Sequence, residues 1–281
     1  MTLMAYNHAP IPSFMYGTAW KEEATAHLVQ LAVASGFRAI DTANQLIHYQ
    51  EVLVGEALQT LRKEGIERDT LFLQTKFTSA DGQDHRTPYD ASADLTTQVR
   101  QSFESSLTHL CTRVCGLSMS YTDRIRGGAW GRRIGRCGRP WKDLYQSGKT
   151  KMIGISNVTA AQLSQSFVNR RIVKPMVVQN RCFAALGWDK EVREICQAHG
   201  IIYQGFSLLT ANRGVLADPE IRAIARRLSA STAQVIFRFA MQIGMLPLTG
   251  TTSQQHMKED LQAEQLALST EEIQRIETIA L

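Results

Sequence analysis

The residues Gly36-Phe37-Arg38-Ala39-Ile40-Asp41-Thr42-Ala43-Asn44 combine a helix stop, a buried strand and a carboxylate, and Tyr49-Gln50-Glu51 follows a short loop later. Gly36 ends the helical pattern before it, and the mainly apolar run up to Ile40 has the length of a covered strand. Asp41 stands at that strand's C-terminal end. A second run, Leu71-Phe72-Leu73-Gln74-Thr75-Lys76, ends in an ammonium group. A carboxylate, a phenol and an ammonium at the same ends of neighbouring strands form a place for proton chemistry.

The same alternation extends in both directions. Phe14 to Ala19 is predicted as a strand, and Glu22 to Ser35 as a helix on the spacing of Ala26, Val29, Ala32 and Val33. Val52, Val54, Leu58 and Leu61 mark a second helix closed by Gly65. Leu95, Val99, Phe103, Leu107 and Leu110 mark a third. Strands are predicted at Met152–Asn157, Met176–Asn180, Ile201–Phe206 and Met245–Thr249. Thr159 with Gln162, Ser231 with Gln234 and Ser269 with Glu272 have the spacing of capping boxes, and Asp218-Pro219 opens a helix as cap and first-turn proline. Seven strands are recognisable, with a gap after the third where an eighth belongs. Repeated βα units of this length give a parallel sheet, and no Gly-x-Gly-x-x-Gly opens any helix. The closed (β/α)8 TIM barrel is the predicted fold, as one domain over residues 1–281.

The chain has 281 residues, 44% hydrophobic and 20% charged, enough to fill the core of such a barrel. No apolar run is long enough to span a membrane, and Met1 to Ser13 lacks the basic head and apolar block of a secretory signal. Five scattered cysteines form neither a CxxC pair nor a zinc pattern, so a reduced, cytoplasmic setting is expected. The net charge is +5, yet the segment from Arg113 to Lys142 alone carries +7 and leaves the remainder at −2.

In order and spacing, Met15-Tyr16-Gly17-Thr18-Ala19, Asp41-Thr42-Ala43, Gln74-Thr75-Lys76, Gly154-Ile155-Ser156-Asn157, Val178-Gln179-Asn180 and Gly205-Phe206-Ser207 resemble an aldo-keto reductase. The resemblance covers the chain apart from about 111–141 and the extreme N-terminus. It implies reduction of a small-molecule aldehyde or ketone, with NADPH as cofactor and NADH as the alternative. A free phenol ionises near pH ~10, so a proton-shuttling Tyr needs a cation beside it. By family order that cation is Lys76, Asp41 orients it, and Tyr49 is the acid. The family's commoner spacing puts Tyr where Leu46 stands here, so the loop must bulge for Tyr49 to reach Lys76. Taken singly, a strand-end Asp caps a loop, a Lys is solvated and a Tyr before a helix is a staple. The three in family order give the catalytic reading.

The resemblance also implies a cofactor site. Gly17, Thr18 and Ala19 border it. Ser156, Asn157 and Gln179 hold the nicotinamide carboxamide, and Phe206 stacks on the ring beside Ser207 and Leu208. Thr249, Gly250, Thr251, His256 and Lys258 form the adenosine-phosphate site, where free helix N–H groups suit a phosphate. Asp260 contacts the adenine. His256 and Lys258 stand in for the Lys and Arg that the family often carries there. No metal is implied. A monomer is expected, with no membrane partner.

The segment at about 111–141 departs from the family. The fourth strand should end in a His that hydrogen-bonds the substrate carbonyl, and no His occurs between Leu110 and Asp143. The Arg- and Gly-rich composition predicts disorder and a corrupted fourth strand. Shifted by one nucleotide, permitted codons for Arg113–Leu117 give Glu-Tyr-Val-Asp-Ser. Shifted by two from Ser118, they give Tyr-Val-Leu-His-Gly-Pro and later Asp-Trp-Glu-Val-Trp-Ser-Ala-Met-Glu. The family's strand, His and helix thus emerge from a frameshift reading, which implies an impaired reductase. Two alternatives stand beside it: a pseudoenzyme that binds NADP without turnover, and a nucleic-acid-binding insert in which Arg meets phosphate while Trp130 and Trp141 stack on bases.

Overall fold

The computed structural model describes residues 2–121, 140–168 and 174–280. A hairpin of β1 (Thr2–Met4) and β2 (Pro10–Pro12) precedes eight parallel strands in a closed barrel. These are β3 (Met15–Gly17), β4 (Ala39–Asp41), β5 (Phe72–Thr78), β6 (Cys115–Tyr121), β7 (Thr150–Ser156), β8 (Val177–Arg181), β9 (Ile202–Phe206) and β10 (Met245–Thr249). Around them run α1 (Thr25–Ser35), α2 (Glu51–Lys63), α3 (Leu95–His109), α4 (residues 140–146), α5 (Ala160–Val168) and α6 (Lys190–Ala198). The circuit is completed by α7 (Arg213–Ala217), α8 (Pro219–Arg227), α9 (Thr232–Gln242), α10 (Gln254–Gln262) and α11 (Thr270–Thr278). β10 pairs with β3 through Leu248 opposite Met15, which closes the ring.

The local signals act as their chemistry dictates. Gly36 ends α1 in the left-handed region at φ 119°, where a Cβ would be strained. Ser231 with Gln234, and Ser269 with Glu272, form complete capping boxes, and Thr159 and Gln162 exchange the same two bonds. Asp218 caps α8 with Pro219 in its first turn. The N-terminal hairpin was not expected. Its Tyr6 donates to the carbonyl of Lys174, just before β8, and so lies against the N-terminal end of the barrel, opposite the ends that carry Asp41 and Lys76.

The fourth barrel strand corrects the reading of 111–141. Cys115–Tyr121 is a regular strand that fills the gap between β5 and β7. Gln74 to Thr78 pair with Leu117 to Tyr121, and Leu117 to Tyr121 pair in turn with Met152 to Ser156. The physical reason is that a ladder is bonded through the backbone, and this stretch has no proline to remove a donor. Gly116 also helps, because a Cβ there would come within 2.8 Å of the Phe72 ring. The Arg/Gly-rich remainder, 122–139, lies outside the described residues. Trp141 is buried in the core, which removes it from any base-stacking surface.

One packing point sets a strict limit. Gly55 in α2 faces the end of α3, where a Cβ would sit 1.8 Å from the His109 carbonyl oxygen. Both neighbours are backbone, so neither moves without shifting a helix. Gly55→Ala is expected to cost about 3 kcal/mol or more, the upper end for an overpacked contact. Urea unfolding of the variant checks it through a lower midpoint with unchanged slope.

Candidate active site

Asp41 is the last residue of β4, and Lys76 lies in β5 two residues beyond Gln74, the pairing partner of Asp41. This register carries the Lys76 ammonium to the carboxylate: Nζ is 2.6 Å from Asp41 Oδ1, with the two side chains 3% and 5% exposed. Nζ also donates to the Thr42 carbonyl at 2.8 Å and hydrogen-bonds the side chain of Tyr49, whose ring centroid is 4.9 Å away. All three ammonium protons are therefore used. Burial by itself would lower the lysine's pKa. The Asp41 carboxylate and the Tyr49 phenol, with hydrogen bonds to both, outweigh it and leave the pKa raised, so the group is cationic at neutral pH.

Tyr49 reaches this point because the chain turns at Gln45. The amides of His48 and Tyr49 both donate to the Gln45 carbonyl, at 3.3 and 3.0 Å. The extra residues between Asp41 and Tyr49 are taken up in that turn. Behind it, buried Glu51 accepts from the Thr75 hydroxyl and pairs with His109 at 3.3 Å, which ties the start of α2 to β5 and α3.

Inside the barrel, three glutamines support the pair. Gln74 Nε2 donates to Asp41 Oδ1 at 2.5 Å, and Gln179 Nε2 approaches the same oxygen at 3.3 Å. Gln204 joins both, with its Oε1 3.0 Å from Gln74 Nε2 and 3.1 Å from Gln179 Nε2. Gln179, expected at a carboxamide, thus turns its amide donors inward. Gln74 and Gln204 had no assigned role. For Gln204 the signal was a lone amide in the otherwise mainly apolar β9, while Gln74 stood among the polar residues Thr75 and Lys76 of β5.

A cavity of about 620 Å³ opens above this cluster. It brings together Asp41, Tyr49, Lys76, Gly17, Ala19, Asn157, Gln179, Phe206, Ser207 and Leu208. At its far end are Thr249, Gly250, Thr251, His256 and Asp260. Asn157 and Ser207 turn the backbone at strand ends in the left-handed region, at φ 56° and 57°. Three expected residues are not on its wall. Thr18 is buried with its hydroxyl on the Asp41 carbonyl, Ser156 is buried within β7, and Lys258 is exposed on α10. Lys258 lies two residues from His256, and a helix turns by about half a revolution over that interval.

The cavity also holds residues that the sequence did not single out. Lys21 crosses from the loop after β3 to donate to the Gly250 carbonyl, and burial lowers its pKa. Arg181 extends from the end of β8, with Nε 3.3 Å from the Ser207 hydroxyl. Trp20 and His48 stack edge to face at 4.1 Å between centroids. Asp260 accepts from the Thr249 hydroxyl at 2.8 Å. Its burial outweighs that bond and the nearby His256 and raises its pKa to about 6. Among the described residues no cluster of His, Cys, Asp and Glu forms a metal site, and no helix is long and apolar enough to cross a membrane.

Comparison with known proteins converges on one family. The chain is 28% identical over 285 residues to the glyoxal reductase of Bacillus subtilis, covering 99% of this chain and 92% of that protein. It is 28% identical over 275 residues to the methylglyoxal reductase DkgB of Yersinia pestis, covering 96% and 93%. Among solved structures, an aldo/keto reductase from Brucella melitensis superposes with a TM-score of 0.84 at 24% identity, over 100% of this chain and 99% of that one, a likeness of fold. The model of the aldo/keto reductase family matches residues 13–281, nearly the whole barrel, and by that match the chain belongs to this family of oxidoreductases.

Proposed function

We propose that the chain reduces a small aldehyde or ketone to its alcohol, with Tyr49 as the proton donor. The observation that carries this is the contact of the Lys76 ammonium with both Asp41 and Tyr49 at the floor of the cavity. When bound, a reduced nicotinamide supplies the hydride. Tyr49 gives its hydroxyl proton to the carbonyl oxygen. Lys76 stabilises the phenolate that remains, and Asp41, held by Gln74, keeps the ammonium in place.

The residues fit such a cofactor. The cavity runs from Lys76 and Phe206 to the N-terminus of α10, and Lys21, Arg181 and His256 border it with positive or protonatable groups that suit a diphosphate and a further phosphate. NADPH is the cofactor this arrangement favours, with His256 rather than Lys258 reading the extra phosphate. The proposed activity is weak, because the described part of the fourth strand carries no His to meet the carbonyl. That same feature favours, as the second reading, a protein that binds NADP without turnover.

Titration of the full chain with NADPH, followed by fluorescence, tests the site. Saturable binding is expected, weakened several-fold by His256→Ala and less affected for NADH, with Lys258→Ala unchanged. A folded sample that does not bind NADPH overturns the proposal. Slow NADPH oxidation with a reactive aldehyde separates the reductase from the binding protein.

A further inference from the structure

β7 and β8 stop pairing at Ser156 and Gln179, and the backbone just beyond them is held by a side chain. Asn157 turns there in the left-handed region at φ 56°, with its amide on the Gln179 carbonyl at 3.0 Å. The next residue, Val158, is buried, and Asn180 takes both of its backbone polar groups. Asn180 Oδ1 accepts from the Val158 amide at 3.0 Å, and Nδ2 donates to the Val158 carbonyl at 2.7 Å. A primary amide offers a donor and an acceptor side by side, as a neighbouring strand would. The second Nδ2 proton goes to Asp189 Oδ2 at 2.7 Å, and that oxygen also accepts from the Tyr203 hydroxyl at 2.8 Å. Gly187, Trp188 and Asp189 are left-handed in succession, at φ 63°, 54° and 57°, and this run sets the carboxylate against Asn180. Such backbone persists only where its surroundings over-determine it. Here the Trp188 indole donates to the Ile276 carbonyl at 2.9 Å, and Arg193 Nε donates to the Trp188 carbonyl at 2.8 Å.

We propose that Asn180, backed by Asp189, is a positioning residue for the nicotinamide: its clasp on Val158 locks the turn that holds the Asn157 amide for the carboxamide of the cofactor. The inference rests on the reading of the cavity as a nicotinamide site with Asn157 as a carboxamide partner. Asn157 lines the cavity, and its side chain has no hydrogen-bond partner among the described residues. Gln179 beside it has turned its amide donors to Asp41 and Gln204. Asn180 and Asp189 are not on the cavity wall, so they reach the cofactor only through the backbone they hold. The left-handed region is disfavoured for any residue with a Cβ, though least for asparagine, so an external hold decides how fully Asn157 occupies it.

The test compares NADPH with phosphoadenosine diphosphoribose, the same ligand without its nicotinamide, by calorimetric titration of the full chain. Asn157→Ala is expected to weaken NADPH about five-fold and to leave the fragment's affinity in place, the loss of one hydrogen bond. Asn180→Ala is expected to reproduce that selective loss and Asp189→Ala a part of it, while Asp189→Asn, which keeps an accepting oxygen, loses less. Asn180→Ala added to Asn157→Ala is expected to cost nothing further, because the two residues act in one line. A merely structural role weakens both ligands alike or adds to the loss in Asn157→Ala, and either result overturns the proposal. If Asn180→Ala does not fold, the Asp189 variants carry the same comparison, and a ratio of affinities in Asp189→Ala equal to the parent's overturns it. An unchanged ratio in Asn157→Ala removes the carboxamide role of Asn157 and this proposal with it, while NADPH binding leaves the cofactor site standing. A parent chain that binds neither ligand overturns both.

Discussion

Tyr49→Phe is expected to lower kcat/KM for a reactive aldehyde by on the order of 10²–10⁴-fold, while NADPH binding stays within a few-fold. The variant keeps the ring over Lys76 and removes only the transferable proton. Lys76→Met is expected to lose activity to a similar extent, and it leaves the buried Asp41 carboxylate without its cation. That second loss shows in stability, at about 3–5 kcal/mol, against about 1 kcal/mol for Tyr49→Phe. Unfolding midpoints beside the rate measurements tell the two roles apart. The lysine's folded pKa is raised, so its contribution to stability is complete below its ordinary range and is lost as pH climbs through the folded value. No lysine-linked loss of stability is expected between pH 6 and 9. If Tyr49→Phe reduces aldehydes as fast as the parent chain, another group delivers the proton.

The second large effect is expected from retranslating 113–142 in the shifted frames that yield the family's residues. Counted on from Ser118, the shifted translation places its His at position 121. The backbone there pairs with Thr78 and Ser156, at the ends of β5 and β7 that face the cavity, and Thr78 itself lines it. A positioned donor to the carbonyl oxygen contributes on the order of 10²–10⁴-fold. The chain with 113–142 retranslated is expected to gain activity of that order, and Tyr121→His in the chain as it stands a part of it. Sequencing the transcript across this region shows which chain cells make. Equal activity of the two chains would remove the His from the account. A repaired chain that binds NADPH and stays inert would remove Tyr49.

What the sequence made legible was local. Ser231 with Gln234 and Ser269 with Glu272 announce helix starts because each box closes within four residues. Asp41 was readable as the last residue of its strand, whereas the strand expected to end at Lys76 runs on to Thr78 and brings the lysine to Asp41 by its register. β6 was not readable: Gly116, Ser118 and Ser120 interrupt its apolar run, and the neighbours that bond it lie far away in sequence. The clasp of Asn180 on Val158 depended on the backbone turn just past the strand ends. Lys258 was assigned through the match of its segment to the family's phosphate site, and the helical phase of α10 leaves it exposed and off the cavity wall that His256 joins.

The double pairing of β6 has a consequence for how this architecture absorbs errors. A strand with a partner on each side is held by peptide groups, which every residue but proline supplies. The ladder therefore forms without the family's own side chains, although Gly116, set against the Phe72 ring, has no room for a Cβ, so the presence of the strand alone does not report what its tip carries. The fragile information sits at the strand tips, where one wrong letter removes a reagent and leaves the vessel intact.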